Sequence, residues 1–514
     1  MRRTDTWGVL LMESVDMQLQ KSKEDCLPNK ENIYLLLASL MLGLLFDFLF
    51  HGKAPGSSYP LYVIALYGTL FWQMRQNLTL KLDWTWLLSI PIFALSLTYL
   101  LYSNQIFASL NFLIIPLLLV SHTLLLTSNN RYKWFELQFL LDMQQGVFIR
   151  PLANSLKPFS LLSKLVERRA KPEKFGVAGR VLVGLLVGIP LLIIIVPLLA
   201  SADDVFRHFI DLIPNIFKGI RIDEFVARLL IVTTVTCLVF SYLWSLFRAK
   251  RSLPGASGSL KLSGAFLDPL TVTTILVLID LLYAFFIAIQ FSYLFGSMSY
   301  GLPQNFTYAQ YARKGFFELV AVTLINLVIL LGNMNFVKAS GSRIDKVVKG
   351  LNTVLVASTF IMLLSAHFRM SLYEEAYGFT YLRVLTHAFM GYLAVLFVVT
   401  LVKIWRQTLP MLKSYIVISI IAYTLVNYIN VDSLIVRNNL ERFNKGYPID
   451  ISYVTTLSYD AVPQLVDFMN TTSDKGVAAQ LQTALARRKQ ALAPAIPWQS
   501  LNLAKYRARE ALLH

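Results

Sequence analysis

Apolar residues in this chain come in long unbroken runs, neither alternating as in half-buried strands nor confined to one stripe of a helix. Eleven runs reach the roughly 20 residues that a helix needs to cross a hydrocarbon core. They cover 32–50, 59–76, 84–102, 106–126, 177–200, 225–247, 268–295, 314–337, 347–368, 382–402 and 412–430. The pattern predicts an all-α fold, a polytopic transmembrane helix bundle of about eleven spans. Continuous runs exclude a transmembrane β-barrel, whose strands alternate with a period of two.

The polar stretches divide the rest. Residues 1–31 form an N-terminal segment and 127–176 the longest and most basic loop. Within that loop, 133–148 reads either as a helix on the membrane surface or as a short packed one. Four spans (32–126) precede it, two (177–247) follow, a linker at 248–267 carries Gly, Ser and basic residues, and five spans (268–430) lead to a helical tail at 431–514. An outer interfacial helix is expected near 202–213. Ser201, Asp203 and Asp204 are placed to cap it, a structural role that competes with a catalytic pair. Ser458 or Asp460 can cap a helix that has Pro463 in its first turn. Gly184 and Gly188 make a GxxxG pattern that allows close helix approach.

Charge gives the bundle a direction. Charged residues are 15% of the chain, too few to cover soluble domains, which carry about 25%. The net charge of +17 comes from Lys and Arg gathered in alternate loops. Segments sharing a side with the N-terminus hold about 27 of them, and those on the other side about 8 before the tail. The bias predicts a cytoplasmic N-terminus and an extracytoplasmic tail. Trp72, Trp84, Trp86, Tyr102, Trp244 and Trp405 near span ends read as interface anchors. Basic charge explained in this way, with no recognition module, argues against nucleic acid as a partner. Cys26 and Cys237 are too few for a disulfide framework, and scattered histidines without metal spacing predict neither a metal site nor a cofactor.

Ionisable groups within spans are functional candidates by default. Asp280 lies near the middle of its run, with Tyr283 and Gln290 following, and reads as a proton or cation site or as a structural acceptor between helices. Glu318 sits near the start of the span at 314–337, one turn after Lys314. His122, His367 and His387 fall near span ends and read as satisfied or interfacial. Orientation gathers further polar residues at the outer face: Arg369, Tyr373, Glu374, Glu375 and Arg383, then Asp432, Arg437 and Asn438. Arg369, Glu374, Glu375 and Arg383 could run acid–base chemistry or hold an anionic head group. Alternatively the cluster is a salt-bridged lid that docks the tail.

The strings YAQYARKGFFEL, RMSLYEEAYGFTYLR, NVDSLIVRNNLER and DISYVTTLSYDAVPQL, with PLLASADDVF before them, resemble the bacterial membrane proteins of domain of unknown function 4173 and its sibling 4153. The resemblance covers roughly 180–514. It implies a multi-pass protein of the bacterial plasma (inner) membrane and carries over no catalytic residue. Three function classes fit: a scaffold or sensor of the envelope, a transporter using Asp280, and an enzyme acting on a lipid-linked envelope substrate. The expected partners are the lipid bilayer, envelope proteins and lipid head groups.

Overall fold

The computed structural model describes residues 29–74, 84–169, 222–248, 267–295, 316–337, 343–406 and 408–513, with a few single positions between 184 and 206. The described chain is built from helices, and nine of them are long and apolar enough to cross a membrane. In chain order they are α1 (Lys30–Phe50), α3 (Ser89–Leu101, entered by the 3₁₀ turn Trp84–Leu88), α4 (Gln105–Leu126), α8 (Ile222–Arg248), α9 (Pro269–Phe295), α10 (Phe316–Phe336), α11 (Arg343–Tyr377), α12 (Tyr381–Trp405) and α13 (Met411–Tyr428). A further apolar helix, α2 (Ser58–Met74), is 17 residues long and packs between α1 and α3. Ten of the eleven expected runs thus coincide with helices. The eleventh, 177–200, lies almost wholly outside the described residues, as do the helix near 202–213 and the linker at 250–266. The chain is a multi-pass membrane protein.

Lipid as solvent explains the surface. Leu278, Leu281, Leu282 and Phe285 of α9 are 62–67% exposed, a penalty in water but none in hydrocarbon. Contacts between spans depend instead on close approach. Gly43 of α1 lies against α8, where an added Cβ would meet Thr236 Oγ1 at 2.3 Å and the Val232 carbonyl at 2.8 Å. The Gly184 and Gly188 positions of the expected GxxxG contact have no described neighbour within 4 Å.

Loops gather at two ends. One end holds 51–57, 102–104, 378–380 and 429–430, all tied to the tail (next subsection). The other holds the basic loop, with helices α5 (Phe139–Gln144), α6 (Arg150–Ala153) and α7 (Lys157–Arg169); α6 and α7 pack against α8, and α5 against α4. Asn129 Nδ2 donates to the Leu246 carbonyl there (2.6 Å). The stretch 133–148 has one packed side, with Phe139 and Asp142 buried, and an outward side carrying exposed Leu137, Leu140, Leu141 and Phe148. Asp142 Oδ2 accepts the Arg131 and Tyr132 N–H groups and so fixes this turn. Trp84 and Trp405 are exposed at span ends as anchors should be. Trp244 is not: it is 3% exposed, stacked on Phe240 with Lys157 Nζ over its ring.

The tail folds as a cap of five helices: α14 (Val431–Asn444), α15 (Ile451–Val454), α16 (Val462–Thr471), α17 (Lys475–Leu492) and α18 (Leu503–Leu513). Its core is Ile435, Val436, Leu457, Val462, Leu465, Leu481, Leu485 and Ala508, continued into the bundle by Phe107 and the half-buried Tyr381, Val384 and Val426.

Candidate functional site

The expected polar cluster is the seam between cap and bundle. Asn430 caps α14 by accepting the Ser433 N–H, which aims Asp432, Ile435, Val436, Asn439 and Arg442 along one buried face. Asp432 is 1% exposed, and each neighbour donates to it: Asn104 Nδ2 (2.8 Å), the Ser458 N–H (3.0 Å) and the Tyr381 hydroxyl. Asp460 accepts the Ser103 N–H (2.8 Å), the Ser103 hydroxyl (2.7 Å) and the Ser458 hydroxyl (2.9 Å). Burial pushes the Asp460 carboxyl above its ordinary range against these donors, and nearby Asp432 adds to the rise. A cavity of about 20 Å³, room for a single water, lies between Asn104, Asn427, Asn430 and the two carboxylates. The two aspartates hold the start of α14 and the turn before α16 onto the loop between α3 and α4.

Ser458 is the cap foreseen for this turn. It opens a 3₁₀ turn (Tyr459–Ala461) that leads into α16, where Pro463 sits in the first turn. Asp460 serves the bundle instead. Asn502 Nδ2 donates to the Tyr99 and Tyr102 carbonyls, and Ser57 binds Trp498 and Leu501 through its hydroxyl and N–H. Arg488 gathers the carbonyls of Thr455, Leu457 and Ser458, its guanidinium pK lowered by burial.

A second clamp closes on the end of α11. Gly378 takes a left-handed φ of +85° and ends the helix, its N–H reaching the Glu374 carbonyl at 2.8 Å. Arg442 Nε and Nη2 donate to the carbonyls of Glu375 (2.9 Å) and Ala376 (3.2 Å), the orphan acceptors of the last turn. Asn439 pairs with both the N–H and the carbonyl of Phe379, each at 2.9 Å. A Cβ on Gly378 would stand 2.5 Å from Asn439 Oδ1.

The candidate acid–base residues part company here. Glu374 is buried, and its Oε2 is 3.0 Å from His387 Nε2, whose Nδ1 is 2.8 Å from His367 Nδ1. With His387 neutral, its Nε2–H goes to Glu374 and its Nδ1 accepts from His367. The three form a short hydrogen-bonded chain from an exposed imidazole to a buried carboxylate. Arg383 lies 4.2 Å over the Tyr373 ring and donates to the Gly378 carbonyl. Arg369 is buried on α11, and the Glu375 side chain faces out. Arg437 pairs only with exposed Glu441 (3.8 Å), and Asn438 stands beside the working Asn439. The 3.6-residue spacing from Asp432 turns Asn439 and Arg442 toward the seam, with Arg437 and Asn438 off that face.

Asp280 and Gln290 are buried in α9, away from the seam, and Glu318 is exposed in the first turn of α10. Lys314 and the string 308–315 lie outside the described residues. Among the described residues, no group of three or more His, Cys, Asp or Glu side chains is placed to hold a metal.

A family model described as Domain of unknown function (DUF4153) matches residues 89–468, from the start of α3 into α16. The match begins some ninety residues before the 180–514 stretch covered by the resemblance and stops short of α17 and α18. No curated protein and no solved structure matched the chain.

Proposed function

The chain belongs to the family of Domain of unknown function (DUF4153), and from that premise we propose a non-enzymatic scaffold or sensor of the bacterial plasma membrane, with its cap on the extracytoplasmic side. The observation that carries this reading is the double aspartate clamp. Asp432 and Asp460 spend their lone pairs on Asn104, Tyr381, Ser103 and Ser458 and so hold a folded cap to the bundle. A carboxylate whose lone pairs are filled by structural donors is a poor general base. The sidedness is supported by the basic loop, which sits at the end opposite the cap. An eleven-span count is supported by the same geometry. The chain is at the basic end at Arg169 and re-enters from the cap end at Ile222, where Arg228 faces Asp47 at 3.7 Å.

A photo-crosslinking residue at exposed Tyr506 of α18 tests the reading in cells. A scaffold or sensor gives a discrete protein adduct there, and its cellular role survives Arg369→Ala, Glu374→Gln and Glu375→Gln together. Absence of any adduct, with loss of that role in the triple variant, would favour an enzyme. Transport retains one observation of its own, the buried carboxyl of Asp280, which has no hydrogen-bond partner among the described residues.

A further inference from the structure

We infer that Asp280 is a proton-binding site within the membrane-spanning bundle, its carboxyl occupied by an exchangeable proton. The inference is independent of the cap and stands or falls separately from the scaffold reading.

Asp280 lies eleven residues into α9, about 16 Å along the helix axis from Pro269. Leu276 and Val272, one and two turns before it, are buried with it on the side packed against α11. Leu278, Leu281 and Leu282, on the other side, face outward. Asp280 itself is 7% exposed, and among the described residues neither carboxyl oxygen has a hydrogen-bond partner. Asp432 and Asp460, by contrast, are each surrounded by donors.

The polar groups near Asp280 are turned away from it. Tyr283 donates its hydroxyl hydrogen to Asn326 Oδ1 of α10 (2.7 Å), Asn326 Nδ2 donates to Thr359 Oγ1 of α11 (2.9 Å), and Thr359 donates to the Leu355 carbonyl (2.7 Å). Every hydrogen in this chain is directed toward α11. Charged and titratable residues of the packed helices stand at their ends: Asp268 before α9, Glu318 on α10, Lys349, His367 and Arg369 on α11, and His387 and Lys403 on α12. An ionised carboxylate in such a place needs a cation or several donors. A metal cation such as Na⁺ needs about six oxygen ligands, and Tyr283, three residues on from Asp280, already donates its hydroxyl hydrogen to Asn326. A proton needs only the carboxyl itself.

The test uses dicyclohexylcarbodiimide on the full-length protein in phospholipid nanodiscs. The reagent attacks protonated carboxyls in apolar surroundings. The carboxyl oxygen bonds to the carbodiimide carbon, the acid proton passes to a carbodiimide nitrogen, and an oxygen-to-nitrogen acyl shift leaves a stable N-acylurea with no atom lost. Peptide mass spectrometry should find the adduct on Asp280 at about pH 6, with slower labelling at about pH 9. Excess Na⁺ or K⁺ at fixed pH should not protect. Asp280→Asn should abolish the adduct and leave the melting temperature within a few degrees, because a neutral amide resembles a protonated acid. Protection by Na⁺ would overturn the inference in favour of a metal cation. Absence of the adduct at every pH, or a large fall in melting temperature in Asp280→Asn, would overturn it outright.

Discussion

Replacing Asp432 with Ala should release the cap without unfolding the bundle. The variant removes one acceptor from three donors, Asn104 Nδ2, the Ser458 N–H and the Tyr381 hydroxyl. Asn104 also donates to the Tyr381 oxygen at 2.8 Å, so that pair keeps part of its bonding. The Ser458 N–H, one Asn104 N–H and the Tyr381 hydroxyl hydrogen are left without the acceptor they had. Each orphaned buried donor costs about 1–3 kcal/mol. Loss of the buried charge offsets part of the broken charge-assisted bonding, so the net loss is about 2–5 kcal/mol. At about 1.4 kcal/mol per decade, amide exchange protection in 455–468 should fall by about 30-fold to 5,000-fold. Protection in α1 and α8, away from the cap, should stay as in the parent. The assay is hydrogen–deuterium exchange on the full-length protein in detergent or nanodiscs. Asp432→Asn keeps one acceptor oxygen and should lose roughly half as much free energy. A change below threefold in the cap, or an equal loss in α1, would refute the idea that Asp432 is a clamp.

Three further outcomes follow from the same seam. Gly378→Ala should destabilise by about 1–3 kcal/mol, since a left-handed φ and a 2.5 Å contact with Asn439 both oppose a Cβ; thermal unfolding measures it. His387→Ala strips buried Glu374 of its only shown partner and should cost about 3 kcal/mol, whereas His387→Gln, which can still donate, should cost less than half of that. Asp460 and Asp450 should act oppositely with pH. Burial raises the Asp460 carboxyl, so its stabilising contribution is greatest in acid and is lost as pH rises through the raised value; Asp460→Asn should remove that loss. The Ser452 hydroxyl and the Tyr453 N–H lower Asp450, so its contribution is present at neutral pH and is lost as pH falls through the depressed value. Melting temperatures from about pH 3 to about pH 8 separate the two.

What the sequence made legible is what one segment decides alone. A run such as Pro269–Phe295 must be a spanning helix because about twenty apolar residues admit no other fold in lipid. The tail's helices were readable from caps such as Ser458. The clamp was not. Asn104 and Asp432 are 328 positions apart, and nothing local in either segment names the other. His367 and His387 looked like separate interfacial residues because only the hairpin of α11 and α12 brings them to 2.8 Å. Trp244 looked like an anchor because its span ends nearby, whereas α7 folds back and buries it under Lys157. Arg437 and Asn438 have the chemistry expected of the cluster, but the helical phase set by Asp432 turns Asn439 and Arg442 to the seam.

The proposed function places the cap outside the cytoplasm and fixed to the bundle. Its most direct test is a single cysteine at exposed Leu513 of α18, in a chain with Cys26 and Cys237 replaced by Ser, treated with a membrane-impermeant maleimide. Intact cells whose outer envelope alone is permeabilised should label Leu513→Cys fully. Labelling that appears only after the inner membrane is broken would place the cap in the cytoplasm and contradict the account.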